Sequence, residues 1–253
     1  MKKLYEKSEL AFALVWIAVY CVLQSLAYPL NELIGVKYAA NALFSAALSA
    51  ALLVWIGRNG LWERYGLCGT AVPARRFLWY LPLLLMASHN LWNGAAVNMP
   101  ADETAWYICN MICVGFVEEV IFRGFLFRAI ARDSVRQAVV ISSVTFGMGH
   151  LLNLVNGRGM ALAENLYQVV MAIAVGFLFV VIFYRGGSLL PCILTHSAID
   201  VASAFFSEAG LTAGKHVLMG VSMLVIVAGY TLILTKTLPQ GGERPSDGRP
   251  SCP

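Results

Sequence analysis

The sequence predicts an all-α polytopic integral membrane bundle of about eight transmembrane helices, with both termini cytoplasmic, and three observations carry that expectation. The first is composition. Of 253 residues 59% are hydrophobic and only 13% charged, against roughly 25% charged in a soluble domain, and the mean hydropathy is +0.70. The second is that the apolar residues gather in runs near the ~20 residues that cross a bilayer. The third is that the basic residues collect in alternate connecting segments. Those segments account for the net charge of +4. With no nucleic-acid module in view, no nucleic acid is expected as a partner; the lipid bilayer is.

The apolar runs cover residues 10–28, 39–56, 77–92, 106–127, 138–152, 166–184, 188–206 and 217–235. The first follows Lys2 and Lys3 as a signal peptide would, but it continues to Tyr28 without a small-residue cleavage site and reads as a retained span. The third holds Pro82, and both it and the fifth are short, so their ends are the loosest.

Lys and Arg favour the cytoplasmic side of a membrane. With the N-terminus inside, Lys2, Lys3, Lys7, Arg58, Arg64, Arg75, Arg76, Arg128, Arg132, Arg136, Arg185, Lys236, Arg244 and Arg249 fall there, and only Lys37, Arg158 and Lys215 fall outside. That ratio of 14 to 3 would be scrambled by adding or losing one span. A multi-pass plasma membrane protein is expected. Residues 1–238 read as a single transmembrane domain, and the tail 239–253, rich in Pro, Gly and charge, reads as disordered. The six cysteines lie mostly within apolar runs, without the paired close spacing of a zinc or disulfide framework, and read as membrane-buried small residues.

Against this background the stretch EEVIFRGFLFR, residues 118–128, stands out, because it sets Glu118, Glu119 and Arg123 inside the fourth run. An ionised residue at the centre of a span costs about 2.5 to 3.5 kcal/mol on insertion scales. Glu119 and Arg123 are four apart, hence on one helical face and able to pair, whereas Glu118 points about 100° away and is left over. As an unpaired intramembrane carboxylate it is a functional candidate by default. The Glu119–Arg123 pair reads equally well as an ion pair that fixes helix packing.

Other spans add His150, His196 and Asp200. His196 and Asp200 share a face at a spacing of four, and Phe146 lies one turn below His150. At ~1.5 Å per residue, Glu118, His150, His196 and Asp200 lie roughly 12 to 21 Å from the cytoplasmic ends of their spans, near the middle of a core ~30 Å thick. One carboxylate and two imidazoles at one level suit activation of water: Glu118 takes its proton, a histidine orients it, and the second histidine with its neighbour stabilises an oxyanion. Either histidine alone would more simply bond a backbone carbonyl. His89 reads as interfacial, Gln168 as an interhelical hydrogen-bonding residue, and Asn153 and Asn156 as either that or supports of the site.

In order and spacing, EEVIFR (118–123), FGMGH (146–150) and HSAID (196–200) resemble the three signature motifs of the CPBP family. These are intramembrane glutamic endopeptidases related to the type II CAAX prenyl protease and to bacteriocin-processing and immunity proteins. The resemblance covers about residues 106–206, and the family's eight-span fold agrees with the count above. It implies a protease, a hydrolase in which Glu118 activates water, His150 holds that water, His196 and Asp200 form the oxyanion site, and Glu119 and Arg123 support them, with no metal or other cofactor. Asp200 stands where an asparagine is often found. An ionised Asp cannot donate to an oxyanion, so it is either protonated or orients His196.

Three rivals remain at this level: a zinc-dependent membrane protease with the glutamates as ligands, a non-enzymatic immunity or interaction protein, and a proton-coupled transporter. The transporter ranks last for want of an inverted repeat. The substrate is left open among a prenylated or unprenylated peptide, a bacteriocin precursor and another membrane protein.

Overall fold

The computed structural model describes residues 1–70, 72–156 and 161–239; apart from Pro239, the tail expected to be disordered lies outside them. Every regular element among these residues is helical. The order is α1 (Lys2–Lys7), α2 (Glu9–Ile34), α3 (Ala39–Arg58), α4 (Leu81–Ala87), α5 (Ala101–Glu119), a π-helical continuation Val120–Phe127, α6 (Arg128–Ala131), α7 (Val135–Gly149), α8 (Leu152–Val155), α9 (Leu162–Gly186), α10 (Leu190–Ser203) and α11 (Ala213–Thr237). Local sequence explains several boundaries. Ser8, Ser134 and Thr212 cap α2, α7 and α11, each accepting a backbone N–H with its hydroxyl oxygen. Gly35 ends α2 at φ +74°, in the left-handed region that a residue without Cβ enters freely.

Six helices among the described residues are long and apolar enough to cross a membrane: Glu9–Ile34, Ala39–Arg58, Ala101–Ala131, Val135–Leu154, Leu162–Gly186 and Ala213–Thr237. The other two expected spans are shorter. The third is broken where Leu78, Trp79 and Tyr80 adopt φ of +50°, +51° and +59°, which leaves the 7-residue α4. The seventh is the 14-residue α10, about 21 Å long at 1.5 Å per residue. Both lie against other helices, α4 on α10 and α11, and α10 on α5. Their polar neighbours bond to protein, as short segments at membrane depth require: Ser188 Oγ donates to the Cys68 carbonyl at 2.6 Å, and Asn90 Nδ2 to the Ile199 carbonyl at 2.8 Å.

At the centre stands α5, packed on α3 and α10, while its π-helical continuation packs on α2 and α7. The α5–α10 approach depends on Gly115: a Cβ there would lie 2.8 Å from the Ser197 amide nitrogen, closer than a Cβ atom comes to such a neighbour. Small residues at such crossings let helices meet where lipid supplies no hydrophobic drive.

The bundle has two distinct ends. One gathers the start of α2, residues 59–70, the α6–α7 turn and the last turns of α9 and α11, tied by Arg64 to Glu9 at 2.6 Å and by Arg185 to the Thr235 carbonyl at 2.6 Å. The other gathers segments 35–38, 88–100 and 204–212, tied by Lys37 to Glu103 at 3.4 Å, Ala96 N–H to the Phe205 carbonyl at 2.9 Å, and Asn93 to the Ser207 carbonyl at 2.8 Å.

Candidate active site

The two adjacent glutamates point to different surroundings, as successive positions on a helix require. Glu119 ends α5 and is fully buried, as is Arg123 one turn on. Arg123 Nη1 donates to Glu119 Oε1 at 2.9 Å, and its guanidinium carbon lies 3.9 Å from the centre of the Phe146 ring, where the ring's negative face stabilises the cation. A buried ion pair in apolar surroundings repays desolvation only with good geometry and further hydrogen bonds. A second bond comes from another helix, because His196 Nδ1 lies 2.8 Å from the same Glu119 Oε1. An ionised carboxylate only accepts, so Nδ1 carries the proton.

This contact turns the other ring nitrogen toward the leftover carboxylates. His196 Nε2 is 3.6 Å from Glu118 Oε2 and 3.5 Å from Asp200 Oδ2. Edge-on packing against Phe146, with ring centres 5.6 Å apart at 90°, holds the imidazole plane. Phe146 also packs 5.5 Å from the His150 ring, so one aromatic sits between the two histidines and over the arginine. The carbonyl of His150 accepts from Asn165 Nδ2 at 2.9 Å.

Glu118, His150, His196 and Asp200 all line a single cavity of about 410 Å³. Glu119 and Arg123 do not; they lie behind its wall. The six residues singled out from the sequence thus fall into four that line the cavity and two that lie behind its wall, one of which, Glu119, bonds His196. Asn153 and Asn156 line the cavity too, and Asn153 donates to Gln168 at 3.0 Å, the interhelical bond expected of Gln168. His89, in the segment 88–100 at one end of the bundle, also lines the cavity.

Sequence reasoning missed Tyr20. Its hydroxyl, on α2, donates to Glu118 Oε1 at 2.5 Å. A polar stripe on α2 at helical spacing, Tyr20, Gln24 and Asn31, was the available signal. Gln24 and Asn31 join Asn41 and Ser45 of α3 and Asn110 of α5 in a chain of amide and hydroxyl bonds of 2.6 to 2.8 Å. Among the described residues no group of three or more His, Cys, Asp or Glu is arranged to hold a metal ion.

Residues 100–202, which contain α5 through nearly all of α10 and all three motifs, match the family described as type II CAAX prenyl endopeptidase Rce1-like. No curated protein and no solved structure matches the chain.

Proposed function

We propose that this chain, a member of the CPBP/CAAX protease family of membrane endopeptidases through residues 100–202, hydrolyses a peptide bond with water activated by Glu118. The observation that carries the reading is the division between the glutamates: Glu119 is committed to Arg123 and His196, while Glu118 faces the cavity. A water beside Glu118 and His150 loses its proton to the carboxylate as its oxygen attacks a substrate carbonyl. Negative charge grows on that carbonyl's oxygen, and the groups available to meet it are His196 Nε2 and Asp200. With Nδ1 committed to Glu119, donation from Nε2 requires the imidazolium form, whose charge faces the carboxylates of Glu118, Glu119 and Asp200. Asp200 donates only when protonated; when ionised it orients His196 instead. Collapse of the intermediate returns the proton from Glu118 to the departing amine.

The test compares purified wild type, Glu118→Ala and Glu118→Gln in detergent against a library of membrane and secreted peptides, with new termini read by mass spectrometry, with and without a chelator. Wild-type termini that both variants lose, and that survive chelation, support the reading. Termini lost on chelation and restored by zinc would replace it with the metalloprotease. Termini independent of Glu118 would overturn it.

A further inference from the structure

We infer that the cavity is entered from the non-cytoplasmic face of the membrane, so that its substrate is a peptide segment presented there rather than a tail in the cytoplasm. The endopeptidase reading supplies only the nature of what enters; the route stands on the placement of the cavity and of the charges.

The cavity is one-sided. On α2 it is lined from Tyr20 through Gln24 to Tyr28, on α10 from His196 through Asp200 to Ser203, and on α5 from Glu118 back to Tyr107. Because α5 runs opposite to the other two, all three series lead from the candidate catalytic groups toward the same end of the bundle. That end is the one built from segments 35–38, 88–100 and 204–212, and Asn90 from the second of these reaches the cavity. In the opposite direction it stops on a floor. Phe122, Phe146 and Phe179 close it at 4%, 4% and 0% exposure, with the fully buried Glu119–Arg123 pair behind them.

The charges say which end is which. Of the described Lys and Arg residues, 12 lie at the closed end and two, Lys37 and Lys215, at the open end; Arg123 is in between. Basic residues in short connections mark the cytoplasmic side, so the floor faces the cytoplasm and the opening faces away from it. The polar side chains along the route, among them Asn90, Tyr107, Asn153, Gln168 and Ser203, suit the amides of an extended peptide, each of which needs a donor and an acceptor partner once out of water. The substrate class is therefore an exported peptide or a non-cytoplasmic loop of a membrane protein.

The experiment uses the full chain in cells and the charged, membrane-impermeant thiol reagent 2-(trimethylammonium)ethyl methanethiosulfonate. Cys21 lines the cavity and is a free thiol, so one protein keeps Cys21 with the other five cysteines changed to serine. Two others carry all six changes plus either Val97→Cys, at the open end, or Arg136→Cys, at the closed end; both positions are exposed. The expected result in intact cells is one reagent adduct by mass on Cys21 and on Val97→Cys and none on Arg136→Cys, with labelling of Arg136→Cys in inside-out vesicles. Labelling of Arg136→Cys in intact cells overturns the inference, as does a Cys21 that reacts only in inside-out vesicles or from neither side. None of these outcomes touches the endopeptidase reading, which is judged by Glu118-dependent cleavage in detergent, where the membrane has no sides. Conversely, outward labelling with no Glu118-dependent cleavage removes the enzyme and keeps the route.

Discussion

The hydroxyl of Tyr20 donates a 2.5 Å hydrogen bond to Oε1 of Glu118 across 98 residues of sequence. One carboxylate oxygen is thereby held, and the other faces His196 at 3.6 Å. Tyr20 lies outside the segment that matches the family, so this chain recruits its first long helix to orient the candidate base. Tyr20→Phe removes the donor and keeps the ring. A hydrogen bond to a charged group contributes about 1.5 to 3 kcal/mol, so turnover should fall roughly ten- to a hundredfold. Elution from size-exclusion chromatography in detergent should not change. Unaltered turnover would show that Glu118 is oriented without Tyr20.

Glu118 and Glu119 should separate activity from stability. Removing one partner of a buried pair leaves an uncompensated charge and costs about 3 to 5 kcal/mol. Glu119→Ala should therefore lower the thermal midpoint sharply or abolish folded protein, through loss of both Arg123 and His196 contacts. Glu118→Gln should leave the midpoint near wild type while abolishing cleavage. Thermal unfolding followed by tryptophan fluorescence in one detergent compares the two directly.

Gly115 sets the distance between α5 and α10, and with it the meeting of Glu119 and His196. Gly115→Ala places a methyl group against Ser197. Overpacking of this kind costs about 1 to 3 kcal/mol, and the displacement separates the site's two halves. Activity should drop more than the thermal midpoint does, and an activity loss no larger than that of a destabilised control elsewhere in the bundle would refute the positioning argument.

The amide chain through Gln24, Asn31, Asn41, Ser45 and Asn110 joins α2 and α3 to α5. Interhelical hydrogen bonds in membranes average only about 0.6 kcal/mol, but Asn41→Leu leaves both Asn31 and Gln24 short of a partner in a buried site. A loss of about 1 to 3 kcal/mol is expected, read as the change in unfolding free energy in mixed micelles.

Much of the candidate site's geometry was legible because helical spacing is a local rule. Glu119 pairs with Arg123, and His196 neighbours Asp200 at 3.5 Å, as four-residue spacings require when backbone hydrogen bonds fix the turn. The apolar runs located the helices for the same reason, and the rarity of ionisable residues in them singled out Glu118, His150, His196 and Asp200. Length was less legible. Residues 77–92 and 188–206 are apolar enough to suggest spans, yet they form a broken segment and a 14-residue helix, because protein neighbours rather than lipid receive their ends.

The sequence by itself determined the membrane class, the helical periodicity and the set of polar residues worth attention, since each follows from composition or from contacts within one or two turns. Only the tertiary structure decided which glutamate faces the cavity, that His196 bonds Glu119 from 77 residues away, that Tyr20 reaches Glu118, and at which end of the bundle the cavity lies. Those relationships depend on how helices cross, and crossing is set by close approaches such as Gly115 on Ser197, whose effect appears only when two distant segments are brought together.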